Sequence, residues 1–298
     1  MNTDVVESYL HHLAAERRLS PHTLAAYRRD LAVLTDSAGV RPLAELGADD
    51  IRRIVVALRA DALSPASIAR HLSAWRGLYV WACRRLGFPA NPCIGVRPPK
   101  AAQPLPDLLS PDACSQLLDV SVDRPLELRD HAMFELLYSS GLRLAELVGL
   151  DLARLDLRAG EASVTGKGSK TRLVPVGRQA REALSAWLAV RPALAQPDVP
   201  AVFVNRRGQR LGARSVQLRL ARWAVRAGVP QHVHPHLLRH AFATHLLQSS
   251  GDLRAVQELL GHANLATTQV YTHLDWQHLA RTYDEAHPRA RRKSGGEG

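Results

Sequence analysis

Cysteine and lysine are scarce in this chain. Its 298 residues include three cysteines, Cys83, Cys93 and Cys114, which are widely spaced and form no CxxC pair. So few cysteines provide neither a disulfide framework nor a zinc-binding set, and they suit a reducing cytosol. Only four of the 39 basic residues are lysine, so 35 are arginine. Almost all of the positive charge is therefore carried by guanidinium groups.

Long apolar runs and acidic residues are also in short supply. No apolar stretch approaches the ~18 residues that a membrane-spanning helix needs. The N-terminus, MNTDVVESYLHHL, is unlike a secretory signal. We therefore expect a cytoplasmic protein with no membrane insertion. The 28 acidic residues leave a net charge of +11, which predicts a polyanionic partner, most simply nucleic acid, although an arginine-rich genome would give the same composition.

The hydrophobic pattern divides the chain into two folded parts. Residues 4–86 contain four amphipathic stripes of helical period, and two of them follow Ser-Pro pairs at Ser20 and Ser64, which favour a helix start. Residues 88–108 contain six prolines and predict an extended linker. In order, the expected parts are a helical bundle over 1–87, a linker over 88–107, a second domain over 108–288 and a disordered basic tail over 289–298.

Arginines line the polar faces of the predicted bundle. They indicate either a solvated surface or a surface that follows the phosphates of a nucleic acid. Charge by itself does not separate these two interpretations. The arginines concerned are Arg28, Arg29, Arg52, Arg53, Arg70 and Arg76.

The second domain is predicted to be mainly helical with one small antiparallel β-sheet. Helices are expected near 131–138, 180–190 and 215–227. Residues 162–176 have the pattern of a β-hairpin whose glycine-rich turn places Lys167 at the tip. This turn lacks the spacing of a Walker phosphate-binding loop. A short apolar stretch at 202–204 is a further candidate strand.

Arg143 lies in the first turn of another predicted helix, which follows Gly141. A cation there is unfavourable against the helix dipole. One interpretation is that Arg143 pairs with Glu146 or is simply solvated. The other is that Arg143 and the N–H groups of the helix together bind an anion.

The segment 234–273 is the richest in reactive side chains. Pro235 favours the first turn of a helix, which places His236, Arg239 and His240 on one face, with an adjacent apolar face packed inward. Gly251 is a plausible end for this helix.

Two shorter helices are expected after that end. Asp252 caps the first, which runs to Leu260. Gly261 ends it, so that His262 follows a tight turn, and the second carries Tyr271. We expect the histidines, the arginine and the tyrosine of 234–273 to converge on one pocket.

Such a pocket suits phosphoryl chemistry. Arginine binds phosphate oxygens bidentately and keeps its charge. A tyrosine hydroxyl can act as a covalent nucleophile. Because its reference pKa is near ~10, it needs neighbouring cations or a neutral histidine to accept its proton at neutral pH.

The many histidines of this segment leave a zinc enzyme as an alternative, because an H-x-H-x-H pattern can bind zinc. Asp and Glu are absent from 232–248, however, and a zinc site gives no role to Arg143, Lys167 or Tyr271. We therefore expect neither a metal nor another cofactor. The candidate ligands are His232, His234, His236, His240 and His245.

Five motifs of the second domain resemble, in order and spacing, those of the tyrosine recombinase (phage integrase) family. They are GLRLAEL, GKGSKTRLVPVG, HPHLLRHAFATHLL, LLGH and TTQVYTHL. The N-terminal segment SPHTLAAYRRDL resembles the core-binding domain of that family, and the compact size and C-terminal sequence are most similar to its Xer branch. The linker PKAAQPLPDLL is less basic than is usual there. The resemblance implies a mainly α fold, with a core-binding bundle and an α+β catalytic domain.

The resemblance also implies an activity: double-stranded DNA is cut and rejoined through a 3′-phosphotyrosine bond. Tyr271 would be the nucleophile, and the two arginines would hold the non-bridging phosphate oxygens. The histidine of HPHLLR would act as base, the lysine of the hairpin would protonate the leaving 5′-oxygen, and the histidine of LLGH would donate a hydrogen bond to the phosphate. The residues matching the family's catalytic positions are Arg143, Lys167, His236, Arg239, His262 and Tyr271.

Further expectations concern cofactors and partners. The covalent bond conserves the phosphodiester energy, so the resemblance implies no metal and no ATP. Exchange of two strands implies a heterotetramer with a XerD-type recombinase, with the last helix docked on the next protomer. The Xer branch further implies resolution of chromosome dimers at cell division, with a septal DNA translocase as another expected partner. The alternatives are a phage or integron integrase and a non-catalytic DNA-binding protein.

Overall fold

The computed structural model describes residues 2–100, 108–166, 171–260, 283 and 286–289. The chain divides into two compact units, Met1–Pro104 and Leu105–Gly298. Lys167, His262 and Tyr271 lie outside the described residues. None of the described helices is long and apolar enough to cross a membrane.

The N-terminal unit has the four helices that its sequence predicts. Their buried stripes form one core around Trp75 and Tyr79. The Ser-Pro pairs act as expected, since the hydroxyl oxygens of Ser20 and Ser64 each accept the N–H of the residue three positions later at 3.2 Å. The helices are α1 (Asn2–Ala15), α2 (Pro21–Ala38), α3 (Ala48–Ala60) and α4 (Pro65–Arg85).

The beginning of the proline-rich stretch differs from the extended linker that was expected. Cys93 and Val96 are buried in the core of the N-terminal unit. The Arg76 guanidinium donates to the carbonyl oxygens of both residues. Two apolar side chains among the prolines are enough to pack this segment onto the bundle.

Most of the arginines on the bundle surface already have partners within it. Arg28 pairs with Glu7 at 2.8 Å. Three more of those singled out pair with aspartates, and Arg76 binds backbone carbonyls. Exposed ion pairs of this kind contribute little to stability. They do reduce the charge that these arginines offer to a phosphate, so the solvated-surface interpretation gains support for them.

The second unit is organised around one buried helix. This helix, α6, is buried over most of its length and has helices packed around it, and its buried residues include the charged Arg129, Asp130 and Glu135. It begins at Pro125, before the predicted residue 131, because a first-turn proline starts it. The helices are α5 (Pro111–Leu118), α6 (Pro125–Ser139), α7 (Leu144–Val148), α8 (Arg178–Val190), α9 (Ala213–Arg226), α10 (Pro235–Ser250) and α11 (Leu253–Leu260).

A three-stranded antiparallel sheet accompanies these helices and confirms the predicted hairpin. Its strands pair in the order β1–β2–β3. Thr165 lies opposite Thr171 at the end of the hairpin, and Val164 lies opposite Arg172. The strands are β1 (Leu155–Asp156), β2 (Glu161–Thr165) and β3 (Thr171–Pro175).

The candidate strand at 202–204 is wrong. The structure has only isolated bridges there, such as Val204 with Arg210. The carbonyl of Val202 accepts the side-chain N–H groups of Trp187 and Arg191 at 2.9 and 3.2 Å. The Val202 N–H donates to the Leu150 carbonyl at 2.9 Å, so side chains and single backbone bonds together satisfy this backbone without a ladder of strand pairs.

The described part of the C-terminal segment packs on its own catalytic unit. Tyr283 is fully buried, and its hydroxyl lies 2.7 Å from Ser139 Oγ. Arg289 pairs with the buried Glu135 and with Asp119. Docking of the last helix on a neighbouring protomer stays a prediction.

Candidate active site

Arg143 lies directly before α7, at the N-cap, whereas it was predicted within the first turn. It occupies the N-cap with an extended backbone (φ −72°, ψ 149°), and its guanidinium is partly exposed. Its backbone N–H donates to Glu146 Oε2 at 2.8 Å, and its Nη1 donates to Glu146 Oε1 at 2.9 Å. The i,i+3 pair predicted from the sequence is therefore present, and the Arg143 side chain remains 39% exposed.

The turn before Arg143 requires glycine at position 141. Gly141 has φ +57°, and a Cβ added there would lie 2.3 Å from Cδ1 of the buried Phe242. The Gly141 carbonyl accepts a hydrogen bond from Arg239. One tight turn thus sets the positions of both arginines.

Replacing Gly141 by alanine should lower the free energy of unfolding by about 2–4 kcal/mol, because the positive φ and the clash with Phe242 both oppose a side chain. Gly251→Ala is the matched control, since Gly251 has φ +67° but nothing within 4 Å of an added Cβ. It should lose only the backbone contribution of about 1–2 kcal/mol. Urea denaturation of both variants measures the difference. Equal losses would show that Phe242 does not constrain this turn.

Glu146 is the carboxylate around which the site is built. Its side chain is 1% exposed, and Arg172 donates to both of its oxygens, at 2.6 and 3.0 Å. Burial by itself raises the pKa of Glu146, but the bonds from Arg172 and Arg143 outweigh it and bring the pKa below its ordinary value. A charged carboxylate is therefore kept in the interior to hold arginines.

Arg239 reaches the same cluster from α10. Its Nη1 lies 4.0 Å from Glu146 Oε2, and its Nη2 donates to the Leu260 carbonyl at 2.6 Å. Burial, together with the nearby positive charge of Arg143, lowers the pKa of Arg239 to about 10. The guanidinium keeps its proton at neutral pH. It lies in surroundings where an added anion would be favourable.

The two histidines expected beside Arg239 are on the same helix but differ from it in burial. His236 and His240 are exposed, whereas Arg239 is buried with the apolar residues of α10. The i, i+3 and i+4 spacing within α10 is as predicted, but the long Arg239 side chain reaches inward to backbone carbonyls while the histidines stay exposed. His234 is the N-cap of α10, and its Nδ1 accepts the Leu237 N–H at 3.2 Å.

Residues that closely precede Lys167 and His262 in the chain lie beside the arginine cluster. A Cβ built on Gly166, directly before Lys167, would lie 3.4 Å from Glu146 Oε1 and 3.8 Å from Arg143 Nη1. Leu260, whose carbonyl binds Arg239, is two residues before His262. The structure thus brings together Arg143, Arg239, the end of the hairpin and the end of α11.

The histidines do not form a metal site in the part of the chain that is described. No group of three or more His, Cys, Asp or Glu side chains there could hold a metal ion. His245 is buried and hydrogen-bonds the Tyr138 hydroxyl at 2.9 Å, whereas His232, His234 and His236 stand at the start of α10. The zinc alternative has no ligand set among these residues.

Two residues of the cluster were not given a functional role from the sequence. Glu146 was considered only as a surface partner for Arg143, and Arg172 was not considered at all. The signal for Arg172 was present in the alternation of its strand, because it shares a face with the buried Val174. A charged residue at an inward position of a strand indicates a buried partner.

This unit gathers arginines on one carboxylate beside a glycine-rich hairpin, an arrangement that suits the binding of a phosphodiester. The net positive charge of the chain indicates that the phosphodiester is part of a nucleic acid. The model of the phage integrase family matches residues 107–278, and that of the phage integrase N-terminal SAM-like domain matches 6–86.

Relatives and solved structures agree with these matches. The tyrosine recombinase XerC 1 of Ralstonia nicotianae is 54% identical over 97% of this chain and 94% of its own. The tyrosine recombinase XerC of Azotobacter vinelandii is 53% identical over 97% of each chain. A crystal structure of the XerH site-specific recombinase bound to a palindromic difH substrate has the same fold, with a TM-score of 0.67 and 23% identity over 90% of this chain and 81% of that one. The chain belongs to the phage integrase family, as a XerC-like, DNA-binding tyrosine recombinase.

Proposed function

We propose that this recombinase cuts and rejoins DNA through a 3′-phosphotyrosine bond at Tyr271 and, with a XerD-type partner in a heterotetramer, converts chromosome dimers to monomers in the cytoplasm. The observation that carries the chemistry is the convergence of Arg143 and Arg239 on the buried Glu146. The names of the relatives support the XerC role. Control by a septal DNA translocase is part of the same proposal.

The roles follow from charge and position. Arg143 and Arg239 hold the non-bridging oxygens, and such preorganised charges can lower a barrier by about 3–4 kcal/mol each. His236, exposed at the start of α10, takes the proton of the tyrosine. Lys167 protonates the leaving 5′-oxygen. His262, close in sequence to the carbonyl that binds Arg239, donates a hydrogen bond to the phosphate.

A trapping assay tests the reaction. On a nicked suicide substrate the short cleaved fragment diffuses away, so the covalent protein–DNA complex accumulates and survives SDS. We expect the complex on a recombination site and not on a scrambled duplex, and we expect it to persist in EDTA. Loss in EDTA with recovery in zinc or magnesium would restore the metal alternative. Full recombination without a XerD-type partner would instead favour the integrase alternative.

DNA binding by the catalytic unit has support outside the arginine cluster. A cavity of about 330 Å³ is lined by Arg129, Arg206, Arg207 and Arg219. Arg129 and Arg219 each donate to Asp130 at 2.6 Å. Asp130 thus pairs with two of the four arginines, and the surplus positive charge along the cavity favours a backbone phosphate.

Removing two of these charges, in the variant Arg206→Ala/Arg207→Ala, should make DNA binding less sensitive to salt. Each lost phosphate contact reduces the slope of log affinity against log salt by about 0.9, so the double variant should reduce it by about 1–2. Fluorescence anisotropy with a labelled duplex over a range of salt concentrations measures the slope.

The matched control removes two arginines that already have carboxylate partners. Arg178 pairs with Glu182 and Arg226 pairs with Glu127. Arg178→Ala/Arg226→Ala should therefore change the slope less. Equal changes in the two double variants would mean that net charge, and not the cavity, governs binding.

A further inference from the structure

Arg172 has three hydrogen bonds that join distant parts of the catalytic unit. Its Nη1 and Nη2 donate to the two carboxylate oxygens of Glu146 at 2.6 and 3.0 Å. Its Nε donates to the carbonyl of Leu259 at 3.1 Å. These partners lie 26 and 87 residues away in the chain, on α7 and at the end of α11. The side chain is only 9% exposed.

This arrangement does not suit a group that binds the phosphate itself. The charge of Arg172 faces a buried carboxylate in a bidentate pair, and its third bond goes to the interior. Arg143, on the same carboxylate, has a side chain 39% exposed. Of the two, Arg143 is the one whose guanidinium can reach DNA.

The elements that Arg172 joins are those that flank the proposed catalytic residues. Its own strand begins at Thr171, four residues after Lys167 in the chain. Leu259 and Leu260 end α11 shortly before His262, and arginines bind both of their carbonyls. Carbonyls in the last turn of a helix lack partners within the helix, so these bonds fix the end of α11.

We propose that Arg172 is a positioning residue for strand cleavage: through Glu146 and the Leu259 carbonyl it fixes Arg143, the base of the hairpin and the end of α11 relative to one another. This inference rests on the proposed function. A displacement of about 1 Å among reacting groups can reduce a rate by about 10²-fold. Loss of Arg172 should therefore slow cleavage of bound DNA without weakening DNA binding.

The test uses the full-length variants Arg172→Met and Arg172→Lys. DNA affinity is measured by anisotropy, and single-turnover formation of the covalent complex is measured at saturating DNA on a suicide substrate. Arg172→Met should keep the wild-type affinity and cleave about 10²-fold more slowly. Arg172→Lys should be nearly as slow, because one ammonium cannot bond both carboxylate oxygens and the Leu259 carbonyl in this geometry. If Arg172→Lys cleaves at the wild-type rate, Arg172 serves only to neutralise the charge of Glu146, and the proposal is overturned.

Arg191→Met is the matched control for loss of a buried arginine. Arg191 is 7% exposed and donates only to the carbonyls of a loop, among them Val199 at 2.7 Å. Its replacement should lower thermal stability and leave cleavage by the folded protein unchanged. If both methionine variants lose cleavage in proportion to stability, Arg172 is purely structural and the proposal fails. If the wild-type protein forms no covalent complex on any site, the proposed function fails instead.

Discussion

Replacing Tyr271 by phenylalanine should abolish the covalent protein–DNA complex and leave DNA binding intact. The substitution removes one hydroxyl oxygen, which is the only atom of the side chain able to attack phosphorus. The charges that bind the duplex are unchanged, so anisotropy should give the wild-type affinity. An SDS gel of the suicide-substrate reaction gives the second measurement.

The matched control is Tyr283→Phe. The Tyr283 hydroxyl lies 2.7 Å from Ser139 Oγ in the interior, so this variant should lose about 1 kcal/mol of stability and still form the complex. An SDS-stable complex from Tyr271→Phe would show that another residue is the nucleophile. Loss of the complex in both variants would point to the fold rather than to the reaction.

Replacing Lys167 by alanine should slow cleavage by about 10²–10⁴-fold, the usual contribution of a general acid. The loss should depend on the leaving group. In a substrate whose bridging 5′-oxygen is replaced by sulfur, the leaving group departs as a thiolate and needs no proton. The variant should therefore cleave this substrate far faster than the normal one. Single-turnover rates on the two substrates give the comparison.

Arg143→Ala is the control for this rescue. Arg143 is proposed to act on the non-bridging oxygens, so its loss should slow both substrates alike. If Lys167→Ala is equally slow on both, Lys167 is not the acid. Lys170, three residues later in the chain, or a water molecule would then become the candidate.

The charges around Glu146 favour the binding of an anion such as a phosphodiester. Three arginines, Arg143, Arg172 and Arg239, surround the single carboxylate of Glu146. Burial and the neighbouring arginine lower the pKa of Arg239 to about 10. The folded protein therefore keeps a surplus of positive charge partly out of water. A bound phosphodiester would relieve this repulsion, and the negative charge on its non-bridging oxygens in the proposed transition state would relieve it further.

Local structure in both units was predictable because its determinants are close in the chain. Ser-Pro pairs at Ser20 and Ser64 start helices, since a serine hydroxyl needs only the N–H three residues later. Asp252 caps α11 in the same way. The hairpin followed from strand alternation on both sides of a glycine-rich turn.

The sequence by itself determined the helices, the hairpin, the surplus of arginine and the motif order that places the chain among tyrosine recombinases. Only the tertiary structure decided that Arg239 is buried against backbone carbonyls while His236 is exposed, and that Arg172 joins Glu146 to the end of α11. The reason is the separation along the chain between each group and its partners. A cap or a turn is satisfied by neighbours in the chain, whereas a buried guanidinium takes whichever carbonyl or carboxylate the packing brings within reach, and here those partners lie up to 98 residues away.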